Sequence, residues 1–299
     1  MPRASIDIGS NTLLLFVVDD EGHTLHDEAR VVGLGQGLGE RGLFRPDRMD
    51  AAVEALRDFA DTARRLGVPP YDVRAVATSA ARRALNARTF LDRVQATSQL
   101  GVQVITGEQE ALLTWKGAAG GIRLPKGPIA VVDLGGGSTE VVQGQGPEIR
   151  ERVSLELGSV RLSEEIFGPD PDRYRPADLS RVRSAVASVV DGLTWERLPR
   201  AIVAVAGTAT TLAAMERGMT TWDRTQVHGM RLTRNALRRQ VDRLLHSDAA
   251  ERRELAAVAP ARADYLLAGA VVLDAICESA LRDSLIVSDG GVRHGLLTR

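Results

Sequence analysis

At 299 residues, with 44% hydrophobic and only 4% aromatic content, the chain is long enough to bury two aliphatic cores, so two domains are expected. Its formal charge of −1, from 38 basic and 39 acidic residues, offers no global field to attract nucleic acid or an anionic membrane surface. One cysteine, Cys277, excludes an internal disulfide and a thiolate metal site, and its apolar run reads as core.

Met1-Pro2-Arg3-Ala4 enters an apolar strand almost at once, with no leader pattern, and no stretch approaches a membrane span. A cytoplasmic protein without a membrane partner is therefore expected. The first strand meets Asp7-Ile8-Gly9-Ser10-Asn11-Thr12 and then the apolar run Leu13 to Val18, which reads as a hairpin. An extended segment follows from Thr24 to Val32, then the glycine-rich stretch Gly33 to Gly39. That stretch lacks the helix-packing glycine of a dinucleotide fingerprint, so dinucleotide binding is not expected. Pro46-Asp47 starts a helix to about Leu66, with Met49, Val53, Leu56, Phe59, Ala60 and Ala63 at helical spacing. Val73 to Ala77 is a buried strand, Ala80 to Leu85 a turn of helix, and Thr89 to Leu100 a further helix. Val102 to Ile105 is a short strand, and Glu108 to about Lys116 the next helix.

Glycines with Pro125 and Lys126 mark a boundary in the Gly117–Gly127 stretch, giving domains 1–122 and 123–299, the last helix being placed to pack back on the first domain. The order then restarts. Ile129 to Val132 runs into Asp133-Leu134-Gly135-Gly136-Gly137-Ser138-Thr139-Glu140 and Val141-Val142, a second hairpin. A third strand is expected at Arg150–Leu157, helices at Pro176–Leu193, Thr233–His246 and Arg262–Glu278, and strands at Ala201–Ala206 and Leu285–Val287. The strand at 201 leads into Gly207-Thr208-Ala209-Thr210-Thr211, a third turn of phosphate-binding type. Hairpin, third strand, helix, strand and helix, used twice, imply two α/β domains with a ligand cleft between them.

Turns of Gly, Ser, Thr and Asn leave backbone N–H groups and hydroxyls to surround an anion, and an Asp opening such a turn is placed to hold a metal on it. Asp7 and Asp133 occupy that position, with Gly9, Ser10, Asn11, Gly135, Gly136, Gly137, Ser138, Thr139, Gly207 and Thr208 as phosphate-binding candidates. Gly107-Glu108-Gln109-Glu110-Ala111 opens a helix, where acidic residues ordinarily favour the helix dipole. In Thr78-Ser79-Ala80-Ala81-Arg82-Arg83, at a strand's carboxyl end, either arginine could meet phosphate or form a solvated pair. The histidines at 23, 26, 228, 246 and 294 show no metal-ligand spacing, and His228 is a cleft-lining candidate only.

These segments in this order resemble the exopolyphosphatase and guanosine pentaphosphate phosphohydrolase family, of the actin, hexokinase and sugar-kinase-like superfold. The resemblance rests on the two Asp-led loops, Ala77–Asn86, Gly107–Gly117, Leu157–Leu162, Ala206–Leu212, Val227–Gly229 and Ser288–Gly295. It implies two actin-like, ribonuclease H-like α/β domains. It also implies Glu110 as catalytic base, Arg82 on phosphate, and Asp133 and Glu140, with Asp7, managing magnesium or manganese. The implied reaction is hydrolysis of a terminal phosphoanhydride, the implied substrate inorganic polyphosphate or guanosine pentaphosphate, and the implied assembly a homodimer. Gln109, Leu112 and Gly33 stand where the family usually has a glutamate and two basic residues; the last two lower the positive charge near the cleft, which with the compact chain favours short polyphosphate chains. The extra C-terminal helical domain of long members is not expected. A sugar or acetate kinase of the same superfold, or a non-catalytic sensor of guanosine tetraphosphate or polyphosphate, are the competing readings.

Overall fold

In the computed structural model, which describes residues 1–168 and 171–298, the opening apolar run forms β1 (Arg3–Ile8) paired antiparallel with β2 (Thr12–Val18). β3 (Thr24–Val31) extends the meander, then come the short α1 (Leu38–Arg41) and the amphipathic α2 (Pro46–Arg65). Next are β4 (Val73–Ala77), α3 (Ser79–Arg83), α4 (Ala87–Ser98), β5 (Val102–Val104) and α5 (Gly107–Ala118). The sheet order is β3-β2-β1-β4-β5, with β4 and β5 parallel to β1. α2 buries Met49, Val53, Leu56, Phe59, Ala60 and Ala63, the apolar stripe its sequence spacing requires.

The second half repeats this plan. β6 (Ile129–Leu134), β7 (Thr139–Gln145) and β8 (Glu148–Leu155) form the meander, followed by α6 (Ser159–Phe167) and α7 (Pro176–Val190). β9 (Ala201–Val205) leads into α8 (Ala206–Glu216), α9 (Arg224–Val227), β10 (Arg231–Thr233), α10 (Arg234–His246) and α11 (Ala249–Leu255). α12 (Leu266–Ser279), β11 (Ser284–Val287) and α13 (Val292–Leu297) complete the chain. The sheet order is β10-β11-β9-β6-β7-β8, with β9 and β11 parallel to the chain direction of β6 and β10 antiparallel at the edge. Read from β8 to β11, this is the order of the first sheet, so the two units are the related actin-like α/β sheets implied by the resemblance.

The units divide between Leu113 and Thr114, inside α5, rather than at 122/123, and the chain from Val292 onward belongs to the first unit. The glycine-rich segment after α5 breaks the helix, but the packing partners change before the helix ends. In the first unit Val292 and Leu296 of α13 pack with Val76 and Ile105. In the second, α12 is buried along nearly its whole length and carries Cys277 into the core, where burial pushes the thiol up to about 12.

Two local expectations are corrected. The helix expected from Arg262 begins at Leu266, because Pro260 starts a tight 3-10 turn that runs to Tyr265. The third turn, Gly207–Thr211, is the first part of α8; Ala206 adopts φ 69, which lets the strand pass straight into a helix. No single helix among the described residues is long and apolar enough to cross a membrane.

Candidate active site

In the first unit the candidate groups gather beyond the carboxyl ends of the parallel strands β1, β4 and β5. The β1–β2 hairpin closes through Gly9 N–H donating to Thr12 O at 3.1 Å. Its carbonyls face the segment after β3: Ser10 O accepts from Gly35 N at 2.6 Å, and Asn11 O accepts from Val32 and Gly33 N at 3.0 Å. The Gly33–Gly39 stretch therefore docks this loop, and a Cβ on Gly35 would press on Ser10. In a trans peptide N–H and C=O point in opposite directions, so docking the Ser10 carbonyl aims the Asn11 N–H away from the scaffold.

The second unit builds its loop the same way. Gly135 N–H donates to Ser138 O at 3.0 Å, closing the hairpin. Gly135 O accepts from Ser159 N at 3.0 Å, while Gly136 O accepts from Val160 N at 3.1 Å and Arg161 N at 3.0 Å. The start of α6 thus holds the loop carbonyls and leaves the N–H groups of Gly136 and Gly137 aimed the other way. Gly158 must be glycine, since a Cβ there would overlap the backbone of Gly136 and Gly137. Among the described residues the amides of Asn11, Gly136 and Gly137 make no hydrogen bond to protein, the arrangement an anion requires.

This geometry revises several candidates. The amides of Gly9 and Gly135 are used to close their hairpins and are not available to an anion. The hydroxyls expected to face phosphate turn into the fold instead. Ser138 Oγ donates to Glu140 Oε1 at 2.8 Å, Thr139 is fully buried and donates to Leu157 O, and Thr208 Oγ1 donates to Ser159 Oγ at 3.4 Å. Ser159 Oγ in turn donates to Gly135 O at 3.3 Å, so Thr208 reaches the glycine loop indirectly. Gly207 backs onto the half-buried Arg262 guanidinium, where any Cβ would collide. Burial pushes Arg262 down to about 10.

Glu110 is not the cap of its helix. Thr106 and Gln109 cap it reciprocally: Gln109 N donates to Thr106 Oγ1 at 3.2 Å, and Thr106 N to Gln109 Oε1 at 3.0 Å. The glutamine that departs from the family pattern is thus a serviceable capping residue. Glu110, one residue on, is buried and receives Arg82 Nη1 at 2.7 Å. The same Nη1 donates to Ile105 O at 2.9 Å, while Nε and Nη2 of Arg82 have no protein acceptor among the described residues.

The carboxylates differ in their surroundings. Asp7 is half-buried, and its Oδ1, which is shielded from solvent, has no hydrogen-bond partner among the described residues. Burial pushes its carboxyl up to about 7 despite the opposing charge of Arg293. Asp133 Oδ2 accepts from Thr114 Oγ1 at 3.2 Å. Glu140 Oε1 accepts from both Ser138 and Ser154, the latter at 3.2 Å and directly across the β7–β8 ladder. The orphaned oxygen of Asp7 fits a carboxylate that faces a hydrated cation, since buried oxygens in proteins are otherwise almost always bonded. His228 is fixed neutral: its Nε2 bonds Gly120 O at 2.8 Å, Nδ1 accepts Asp289 N at 3.2 Å, and burial with Arg224 nearby holds its pKa below the usual range.

Sequence reasoning missed Arg293, which lies beside Asp7 and makes a bidentate pair with Asp27 at 3.1 and 3.2 Å. The Ser288–Gly295 motif contained it, but only the return of α13 to the first unit gives it a purpose. Thr114 and Ser159 lay inside the Gly107–Gly117 and Leu157–Leu162 motifs without being singled out, and Ser154 lay in none, because each acts through a partner distant in sequence.

The Ppx/GppA phosphatase family model matches residues 16–299. Exopolyphosphatase 2 of Mycobacterium tuberculosis is 34% identical over 316 aligned residues, covering 98% of this chain and 96% of the relative. The solved structure of the Aquifex aeolicus member of the Ppx/GppA family has 35% identity and a TM-score of 0.80, covering 99% of this chain and 96% of its own. An exopolyphosphatase structure from Cytophaga hutchinsonii superposes with a TM-score of 0.89 at 27% identity, over 99% of this chain and 96% of that one.

Proposed function

The chain belongs to the Ppx/GppA phosphatase family, and we propose that this member releases terminal phosphate from inorganic polyphosphate, short chains preferred, with Glu110 as general base. The exopolyphosphatases among its relatives support a phosphoanhydride hydrolase. The observation that carries the residue assignment is the pairing of buried Glu110 with the more exposed Arg82 at 2.7 Å, beyond the carboxyl ends of β4 and β5.

Each part has a task that its surroundings support. The amides of Asn11, Gly136 and Gly137 donate to phosphate oxygens, the role left to them once their loop carbonyls are docked. Arg82 orients Glu110 through Nη1 and offers Nε and Nη2 to the transferring phosphoryl group. Glu110 orients a water and takes its proton as the water oxygen bonds to the terminal phosphorus and the bridging P–O bond breaks, the shortened phosphate chain leaving with the bridging oxygen. Asp7, with Asp133 and Glu140, would hold magnesium or manganese; when bound, the metal offsets the charge on the terminal phosphates. The transition state of phosphoryl transfer is loose, so position and electrostatics supply most of the acceleration.

Glu110→Gln keeps the shape and the capping box but removes the base. Phosphate release is expected to fall by roughly 10²–10⁴-fold while substrate affinity stays within several-fold. Near-normal turnover in that variant would remove Glu110 from the role. Phosphate release measured side by side on defined short chains, long chains and guanosine pentaphosphate tests the substrate; release from the nucleotide alone would overturn the polyphosphate reading.

A further inference from the structure

The second unit carries another charged surface, at the opposite edge of its sheet from the glycine loop. Lys126 precedes β6, Arg197 and Arg200 precede β9, and Arg282 precedes β11. Because β6, β9 and β11 are parallel, these are all amino ends. Arg231 of β10 reaches the same edge, donating to Ser284 Oγ at 2.8 Å. Two adjoining cavities of about 550 and 400 Å³ lie here and share Arg200. The first is lined by Lys126 and Arg197, the second by Arg231, Arg282 and Asp283. β6 is six residues long, which puts this edge roughly 20 Å from the loop at its other end.

None of these five cations has an acidic ion-pair partner among the described residues. Their neighbour Arg150, by contrast, is paired with both Glu148 and Glu196. Five like charges around two connected hollows, with Asp283 the single carboxylate lining them, repel one another until an anion arrives. Their arrangement is linear. They follow the strand order β6-β9-β11-β10, and neighbouring strands lie about 4.8 Å apart, so the row extends roughly 15 Å. A single phosphate would meet one end of it, whereas a chain with a charge on every repeat would meet all of it. No Phe, Tyr or Trp lines either cavity, so the aromatic platforms on which single-stranded nucleic acids stack are missing.

We infer that this edge is a second binding site, separate from the hydrolytic loops, for a linear inorganic polyphosphate chain. It goes beyond the hydrolytic reading and stands without it. The row of cations tethers a long chain by charge along its length, while a chain too short to span the row gains little.

The test is titration of long-chain polyphosphate and of tripolyphosphate into Glu110→Gln protein, with and without Lys126→Ala, Arg197→Ala and Arg200→Ala together. The triple change is expected to weaken long-chain binding roughly tenfold or more and to flatten its salt dependence. In the otherwise wild-type protein the same change should leave tripolyphosphate turnover within about twofold, these side chains being remote from the loops. Charge reversal by Lys126→Glu with Arg197→Glu should deepen the long-chain loss, and circular dichroism checks that each variant is folded. Unchanged long-chain affinity and salt dependence would overturn the site, as would tighter binding of single-stranded RNA than of polyphosphate at the same residues. Retained binding without hydrolysis of any polyphosphate would sink the hydrolytic reading and leave the tether standing.

Discussion

Asp7 is held in a state that the isolated fold disfavours. One of its carboxylate oxygens is shielded from solvent and unbonded among the described residues, and desolvation lifts its pKa from 3.8 to about 7. In the unfolded chain the group ionises near 3.8, so between that pH and about 7 the unfolded state binds fewer protons than the folded one. Stability from this group is therefore intact at low pH, is lost as pH rises through the interval, and levels off above it. The full shift corresponds to about 4 kcal/mol. Asp7→Asn is expected to raise the melting temperature of the metal-free protein at pH 8 while leaving it nearly unchanged at pH 4, and to abolish phosphate release. Thermal melts of both proteins across that pH range check this; a constant difference would show that burial does not strain Asp7. Such a residue, destabilising where it sits, is characteristic of a functional group rather than a structural one.

At the scale of elements, each Asp-led loop is shaped by the segment that docks its carbonyls: the glycine-rich stretch after β3 in one unit and the start of α6 in the other. Gly158→Ala drives a methyl into the backbone of Gly136 and Gly137 and is expected to cost about 2 kcal/mol or more and most of the activity. Gly101→Ala, with open space at its Cβ, is the control and should do neither. Chemical denaturation and phosphate release on the two variants separate the cases. The start of α5 divides its labour between neighbouring residues. Thr106→Ala should remove about 1 kcal/mol with turnover nearly retained, since it takes away the cap and leaves the Arg82–Glu110 pair. A loss of turnover matching that of Glu110→Gln would mean that the cap also positions the base.

At the scale of the whole molecule, the chain leaves the first unit within α5 and returns to it at Val292. α13 supplies Val292 and Leu296 to a cluster with Val76 and Ile105, and Gly295 lies where any Cβ would strike the Leu113 backbone. The Arg293 carbonyl accepts from Ser5 Oγ at 2.6 Å, and its side chain pairs with Asp27. Removing the chain from Val292 onward is therefore expected to unfold the first unit while the second stays folded. Amide hydrogen exchange should show β1 and β4 losing protection and β6 and β9 keeping it. Equal loss in both units, or none in either, would contradict this division.

The sequence by itself determined the periodic elements and the doubled plan. The stripe on α2, the buried runs of β6 and β9, and the two Asp-led hairpins are local patterns whose spacing is fixed by helix and strand geometry. It also placed Arg82 and Glu110 among the candidates, through motif resemblance rather than through chemistry visible in the residues. Only the tertiary structure decided which atoms in those motifs the fold itself uses and which it leaves unbonded. Gly9 and Gly135 close hairpins, Thr139 and Thr208 turn inward, Gln109 caps a helix, and Glu110 is paired with an arginine from another element. A motif names the residues of a loop, but the direction of each N–H and hydroxyl is set by the segment that docks against it. That segment lies far along the chain, and no local pattern records it.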